Sequence, residues 1–240
     1  QEFMKEGRRQ GCRVLLLTTD GLRDADWPRD AIDETFYISR DIDRESLLKG
    51  VSHAARTHRI DRIVALDDFD VETAALLREH LRVPGMGETT ARYFRDKLAE
   101  RMKARNFGIL VPDFVHVVND AQIARFAEST PLPWILKPRS QAAAIGMKKI
   151  EHADQLWPAI EALGDRRSFY VLERFVAGDV FHVDAIVWER QVVFQAMHQY
   201  GQPPYQVAHG CGVFTPRSVA TSDTAWPALE KINRNVLATF

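Results

Sequence analysis

The run CRVLLLTTD, from Cys12 to Asp20, does most to narrow what this chain can become. It is short, nearly all apolar and bounded by polar sequence. Such a run reads as a strand buried on both faces, and strands of that kind belong to parallel sheets covered by helices on each side. The neighbouring sequence agrees. EFMKEGRRQG closes a helix at Gly11, and ETFYIS is a second short strand. DRESLLKGVSHAARTHRI places Leu47, Val51, Ala54 and Ala55 at helical spacing behind Asp43, which is suited to an N-cap. DRIVALDD predicts a third strand and DVETAALLREHL a second helix. Strands alternating with helices predict a Rossmann-like, doubly wound α/β unit. Such folds open on a strand, so a further strand is expected ahead of Gln1.

RVPGMGETT interrupts this alternation with Pro84, Gly85 and Gly87, which sets a domain boundary between 1–86 and 87–240. Beyond it, ARYFRDKLAERMKARNFGI predicts a helix with Phe94, Leu98 and Met102 on one stripe. PDFVHVV, PWILKP and GMKKI read as strands, and DAQIARFAES and HADQLWPAIEAL as helices. From Phe169 the pattern changes to period two. FYVLERFV, DVFHVDAIVWER, QVVFQAMHQY and CGVFTPR alternate and are joined by short turns, which predicts an antiparallel sheet and hence an α+β second domain. DTAWPALEKINRNVLATF predicts a closing helix with Leu229, Ile232 and Val236 on one face.

Composition excludes several classes of function. The formal net charge is -1 and the basic residues are dispersed, so no field for nucleic acid is present. The apolar runs are too short to span a bilayer. QEFMKEGRRQG lacks the apolar core of a signal peptide. The two cysteines, Cys12 and Cys211, form neither a disulfide framework nor a CxxC metal motif, which fits a reducing cytoplasm. Cys12 is expected as a small buried hydrophobe, and Cys211 as a thiol packed in a loop. There is no GxSxG elbow, and no GxGxxG follows an early strand.

The stretch PWILKPRSQAAAIGMKKI holds the first candidate chemistry. Lys137 is in phase with Ile135, while Trp134 and Leu136 take the other face of the strand. Either the ammonium snorkels to water past Pro138, or it is a fixed cation facing an anion. The following loop favours the second reading. Its small side chains let backbone N–H groups approach a ligand, and Gly146 permits a positive φ. Further along, Glu173 is in phase with Phe169 and Val171, and His182 shares a face with Asp184. Three polar groups turned toward one sheet surface need partners; a core hydrogen-bond network could satisfy them, but three together after Lys137 favour a ligand cleft.

Lys97 in FRDKLAERMKARNFGILVP, Lys137 in ILKPRSQAAAIGM and the hinge LERFVAGDVFHVD together resemble the ATP-grasp superfamily. The upstream RIVALDDFDVETAALLREHLRVPG is similar to the pre-ATP-grasp domain of its carboxylate–amine ligase and biotin-carboxylase-like branch. The resemblance runs along the whole chain, with a lid subdomain over about 110–175. It implies an ATP-dependent ligase that activates a carboxylate as an acyl phosphate for attack by an amine, with ATP and Mg2+ as cofactors. By that resemblance Lys97 and Lys137 contact the phosphates, and Lys137 also reaches the adenine edge. Ser140 to Met147, Gly146 included, cover the β- and γ-phosphates. Glu173 accepts from the adenine amino group, the backbone of Arg174, Phe175 and Val176 pairs with the base, and His182 lies near the ribose.

Two departures from the family's pattern stand out. Val180 occupies a position where many relatives carry an acid, with Asp179 one residue away. The family's magnesium ligands, an acidic residue and a following Glu-x-Asn, would come after the helix that ends at Phe240. Asp184 and Glu189 fit those roles poorly, so the chain is expected to be a piece of a longer catalytic domain. The resemblance also implies small-molecule carboxylate and amine partners, no nucleic acid or membrane, and allows a homodimer. Its rivals are a non-catalytic nucleotide-binding module and a carboxylase-like subunit phosphorylating bicarbonate. His209 and Arg217, in VAHGCGVFTPR, are open to a role near the phosphates or the acceptor or to an ordinary turn. Asp67, Asp68, Asp70 and Glu72 are read as helix caps and solvated surface.

Overall fold

The computed structural model describes residues 1–210 and 212–240; Cys211 lies outside the described residues. The chain forms two compact units, residues 1–64 with 76–85 and residues 65–75 with 86–240.

The first unit contains α1 (Glu2–Arg9), β1 (Leu15–Thr19), β2 (Glu34–Ile38), α2 (Arg44–Ala54) and the later turns of α3 (Val71–Leu81). β1 and β2 pair in parallel, from Leu15↔Glu34 to Thr19↔Ile38. Met4, Leu16, Ala31, Leu47, Leu77 and Val83 are buried. Asp43 caps α2 by accepting from the Ser46 amide at 3.0 Å, as its sequence position predicts.

Two expectations are corrected in this unit. DRIVALDD forms no ladder among the described residues, so the sheet has two strands. The Ile63 carbonyl is taken instead by the Arg78 guanidinium at 2.7 Å, and an apolar run without a paired neighbour remains extended coil. Cys12 is exposed, because its amide closes the end of α1 onto Gly7 and β1 begins only at Leu15.

The second unit opens with α4 (Glu88–Arg92) and α5 (Lys97–Asn106). β3 (Phe114–His116), α6 (Asp120–Ser129), β4 (Trp134–Pro138), β5 (Lys148–Ile150), α7 (Leu156–Glu161) and β6 (Tyr170–Arg174) follow. The four strands form an antiparallel sheet in the order β3-β6-β4-β5. Alternation divides its two faces. Trp134, Leu136, Ile150 and Leu172 pack on Ile123 and Phe126 of α6 and on Leu156 and Ile160 of α7. Each such side chain contributes about 1.5–3 kcal/mol by burial. The Trp134 indole, the one polar group it carries into this core, donates to the Thr130 carbonyl at 3.0 Å. The other face presents Ile135, Lys137, Val171 and Glu173, with Lys149 opposite Ile135.

α5 begins later than its pattern predicts. Asp96 is its N-cap, accepting from the Leu98 amide at 3.0 Å, which leaves Phe94 in the preceding turn. Leu98 and Ala104 are buried, whereas Phe94 and Met102 are exposed. Arg101, between the two buried positions, is drawn inward by Glu173.

A second antiparallel sheet, β7-β8-β9, is built from β7 (Phe181–Trp188), β8 (Gln191–Tyr200) and β9 (Pro216–Ser218). Glu189 and Arg190 turn the β7–β8 hairpin at φ 48° and 64°, the left-handed pair of a type I′ turn. Of the span read as one strand, CGVFTPR, Cys211 lies outside the described residues, and of the rest only Pro216 and Arg217 join a strand, β9. The residues before it form α8 (Pro204–His209), started by Pro204 in the first turn. α9 (Trp226–Thr239) holds Leu229 and Val236 half-buried, but Ile232 is exposed.

Glu173 therefore does not share a surface with His182 and Asp184, as alternation alone implied. It lies on β6 of the first sheet, and they lie on β7 of the second. Strand phase fixes a face within a sheet but not which sheet a strand joins.

Candidate nucleotide site

Lys137 is 7% exposed and donates to the Glu173 carboxylate at 2.7 Å. Glu173 is 2% exposed, and its other oxygen lies 3.3 Å from Arg101 Nε. The pair exists because β4 and β6 run antiparallel in a register that sets Ile135 opposite Glu173 and Lys137 opposite Val171. Burial pushes the Lys137 ammonium below the usual lysine range, and the Glu173 charge offsets this in part. Burial also lowers Lys97, and the charge of Lys137 lowers it further. The two lysines, forty positions apart in sequence, thus feel each other across one site.

Lys97 donates to the backbone carbonyls of Arg139 and Gln141, at the start of the small-residue loop. Arg95 reaches the Ser140 carbonyl at 2.7 Å and also pairs with Asp68. His209 Nε2 lies 3.0 Å from the Met147 carbonyl at the loop's far end. Side chains from outside the loop therefore hold its carbonyls, while most of its own are small or exposed. An open cavity of about 220 Å3 lies beneath it, bounded by Asp68, Arg95, Lys97, Gln141 and Met147.

The loop turns through left-handed backbone at Ala143 (φ 53°), Ala144 (φ 58°) and Gly146 (φ 73°). At Gly146 a Cβ would stand 2.9 Å from Pro138 Cγ. Gly146→Ala is expected to cost about 1–2 kcal/mol from left-handed strain alone, with the Pro138 contact adding to it. Urea unfolding checks this, and an unchanged midpoint would mean that the loop relaxes freely.

Below the loop, Asp96 accepts from the Arg139 guanidinium while capping α5. Burial alone would raise the Asp96 carboxyl, but Arg139 and the Ala99 and Leu98 amides hold it below the usual range. At the hinge, the Arg174 amide donates to Asp113 and the Phe175 amide to Pro133. The Phe175 ring lies edge-on to Tyr205, with Lys149 Nζ 4.8 Å from its centre.

The sequence-predicted residues separate into two groups. Lys97, Lys137 and Glu173 are brought together; Ser140, Gly146 and Met147 form the loop beside Lys97; and Arg174, Phe175 and Val176 continue from Glu173. His182 contacts His198, Asp184 and Tyr200 on the second sheet. Arg217 pairs with Gln199, while His209 meets the loop. Sequence reasoning missed Arg95, Asp96, Arg101, Arg139 and Lys149. Asp96 could have been found, since an aspartate immediately before a helical pattern is a capping signal. Within the acidic run Asp67 accepts from the Phe69 amide and Glu72 faces Arg92, as capping and surface predict, whereas Asp68 pairs with Arg95 at the edge of the cavity.

A parallel α/β unit, an antiparallel sheet carrying a buried lysine–glutamate pair under a small-residue loop, and a second antiparallel sheet define the ATP-grasp fold. The chain superposes on the L-amino acid ligase of Bacillus licheniformis with a TM-score of 0.78, at 18% identity over 99% of this chain and 56% of that one. On N5-carboxyaminoimidazole synthetase from Staphylococcus aureus, solved with ADP, the TM-score is 0.73 at 14% identity, covering 99% and 59%. In sequence it is 25% identical over 174 residues to the L-arginine-specific L-amino acid ligase of Bacillus subtilis, covering 70% of this chain and 42% of that enzyme. The chain thus spans about half the length of the relatives it matches. No family model matches it.

Magnesium, which the fold family implies, does not suit the carboxylates around this site. Asp68 is paired with Arg95, Glu100 with Arg101, and Glu173 with Lys137 and Arg101. Carboxylates already neutralised by cations are poor ligands for a hard divalent ion.

Proposed function

We propose that this chain binds ATP and serves an ATP-dependent ligase reaction, in which a carboxylate becomes an acyl phosphate and an amine then displaces the phosphate. The observation that carries this reading is the hold of Lys97 on the Arg139 and Gln141 carbonyls, at the start of the small-residue loop two residues beyond the buried Lys137–Glu173 pair, with Glu173 leading into the hinge. Two cations sharing one site suit a polyphosphate, which lowers the cost of holding them close. Lys97 would exchange loop carbonyls for phosphate oxygens, and the amides of Ser140 to Met147 would lie over them. Glu173 would receive the adenine amino group. Because the Arg174 and Phe175 amides are committed elsewhere, Val176 is the hinge donor we assign to the base. His182, engaged with Asp184 and His198, is left out of this assignment.

The relatives, amino acid ligases by name, support a ligase acting on amino acids or similar small carboxylates. No helix among the described residues is long and apolar enough to cross a membrane. The chemistry needs no covalent enzyme nucleophile; fixed charges and backbone dipoles stabilise the transferring phosphoryl group.

Calorimetry with a non-hydrolysable ATP analogue tests the site. A charge-assisted phosphate contact contributes about 1.5–3 kcal/mol, so Lys137→Ala should weaken binding by roughly 10- to 150-fold. The exposed Lys49→Ala should leave it unchanged. Equal affinities for the two variants would remove Lys137 from the site. ADP release dependent on an added amino acid would establish the ligase reading. Binding without turnover would favour a non-catalytic module, and bicarbonate-dependent release a carboxylase-like subunit.

A further inference from the structure

His182 and His198 stand directly opposite each other across β7 and β8, their rings stacked 4.8 Å apart at 20°. Asp184, two residues along β7 on the same face, completes a triangle. Its Oδ2 lies 3.5 Å from His182 Nε2 and 3.4 Å from His198 Nδ1. Neither His198 Nδ1 nor His182 Nδ1 has a hydrogen-bond partner among the described residues, although both atoms are buried. His198 Nδ1 faces the carboxylate at a separation and angle that make no hydrogen bond.

We infer that His182, Asp184 and His198 form a binding site for a divalent transition metal of the zinc type. Ligand atoms on a tetrahedron with bonds of about 2.1 Å lie about 3.4 Å apart. Both contacts to Asp184 match that edge. The third separation, between the imidazoles, is no more than 4.8 Å and exceeds that edge at its upper bound, so the stacked rings must tilt out of parallel for both nitrogens to face one ion. A metal would give the unsatisfied His198 Nδ1 a partner. Two nitrogen donors and one oxygen select zinc, cobalt or nickel over magnesium, which takes oxygen ligands. With three protein ligands, and Asp184 exposed, one position remains for water or an oxygen of a bound molecule. The inference stands apart from the nucleotide reading, since it uses none of Lys97, Lys137, Glu173 or the loop.

The test titrates the nucleotide-free chain with Co2+, following visible absorption and calorimetric heat. One Co2+ per chain should bind, with bands displaced by Zn2+ and unaffected by Mg2+. Removing a ligand should weaken binding by about tenfold or more in both His198→Phe, which keeps a stacked ring, and Asp184→Asn. His53→Ala, which removes an exposed imidazole from α2, should titrate like the parent. Circular dichroism confirms that each variant is folded. Failure of the parent chain to bind stoichiometrically, or full retention of the bands in His198→Phe, would overturn the site whatever the outcome for ATP.

Discussion

Glu173→Ala is expected to destabilise the unit formed by residues 65–75 and 86–240 by about 3–5 kcal/mol, the cost of leaving buried charge without its partner. The effect is large because Glu173 serves two cations: Lys137 at 2.7 Å and Arg101 at 3.3 Å. Lys137 is 7% exposed, so water cannot replace the lost carboxylate without opening the face of β4 and β6. Lys137→Met should cost less, because Glu173 keeps Arg101. The double variant Lys137→Met/Glu173→Leu should recover part of the single loss, since a well-packed apolar pair often equals a buried ion pair. Urea unfolding of the three variants checks the ordering. A cost below about 1 kcal/mol for Glu173→Ala would show that the lysine escapes to solvent and that the pair is not structurally buried.

The same pair shows what a sequence can carry. Period two placed Lys137 with Ile135 and Glu173 with Val171 on one face of their strands, and the structure keeps both groupings. That the two residues meet each other was not legible. It depends on the β4–β6 register, set by packing of Trp134, Leu136 and Leu172 between strands whose paired residues lie 36 positions apart. The same gap explains His182 and Asp184, whose shared face was readable while their partner His198 was not. The predicted strand at 61–68 failed for a related reason. Apolar composition supplies a face to bury but not a neighbour to pair with, and the Arg78 guanidinium took the carbonyl that a ladder would have used. The loop's small residues were visible, but the Arg95, Lys97 and His209 contacts that hold its carbonyls come from sequence 45, 44 and 62 positions away.

Asp96→Ala should be the second most costly change, at about 2–3 kcal/mol near neutral pH. Loss of the α5 N-cap contributes about 1 kcal/mol, and the unpaired Arg139 guanidinium adds to it. Arg139 is partly exposed, so water softens this second loss and keeps the total below that of Glu173. The effect should depend on pH in a defined direction. The native state holds the Asp96 carboxyl below its ordinary value, so the unfolded chain binds the proton more readily. The stabilisation is therefore complete above the ordinary aspartate range and is lost as pH falls through the lowered native value. The gap between parent and Asp96→Ala should be widest near pH 7 and narrow steadily in acid. Since the Arg139 carbonyl receives both the Lys97 amide and its ammonium, acid should also loosen the base of the small-residue loop before the unit unfolds. Hydrogen exchange at the Lys97 amide, followed between pH 7 and pH 3 after correction for intrinsic rates, reads this directly. Protection that does not fall in the parent chain would mean that the loop is anchored without Asp96.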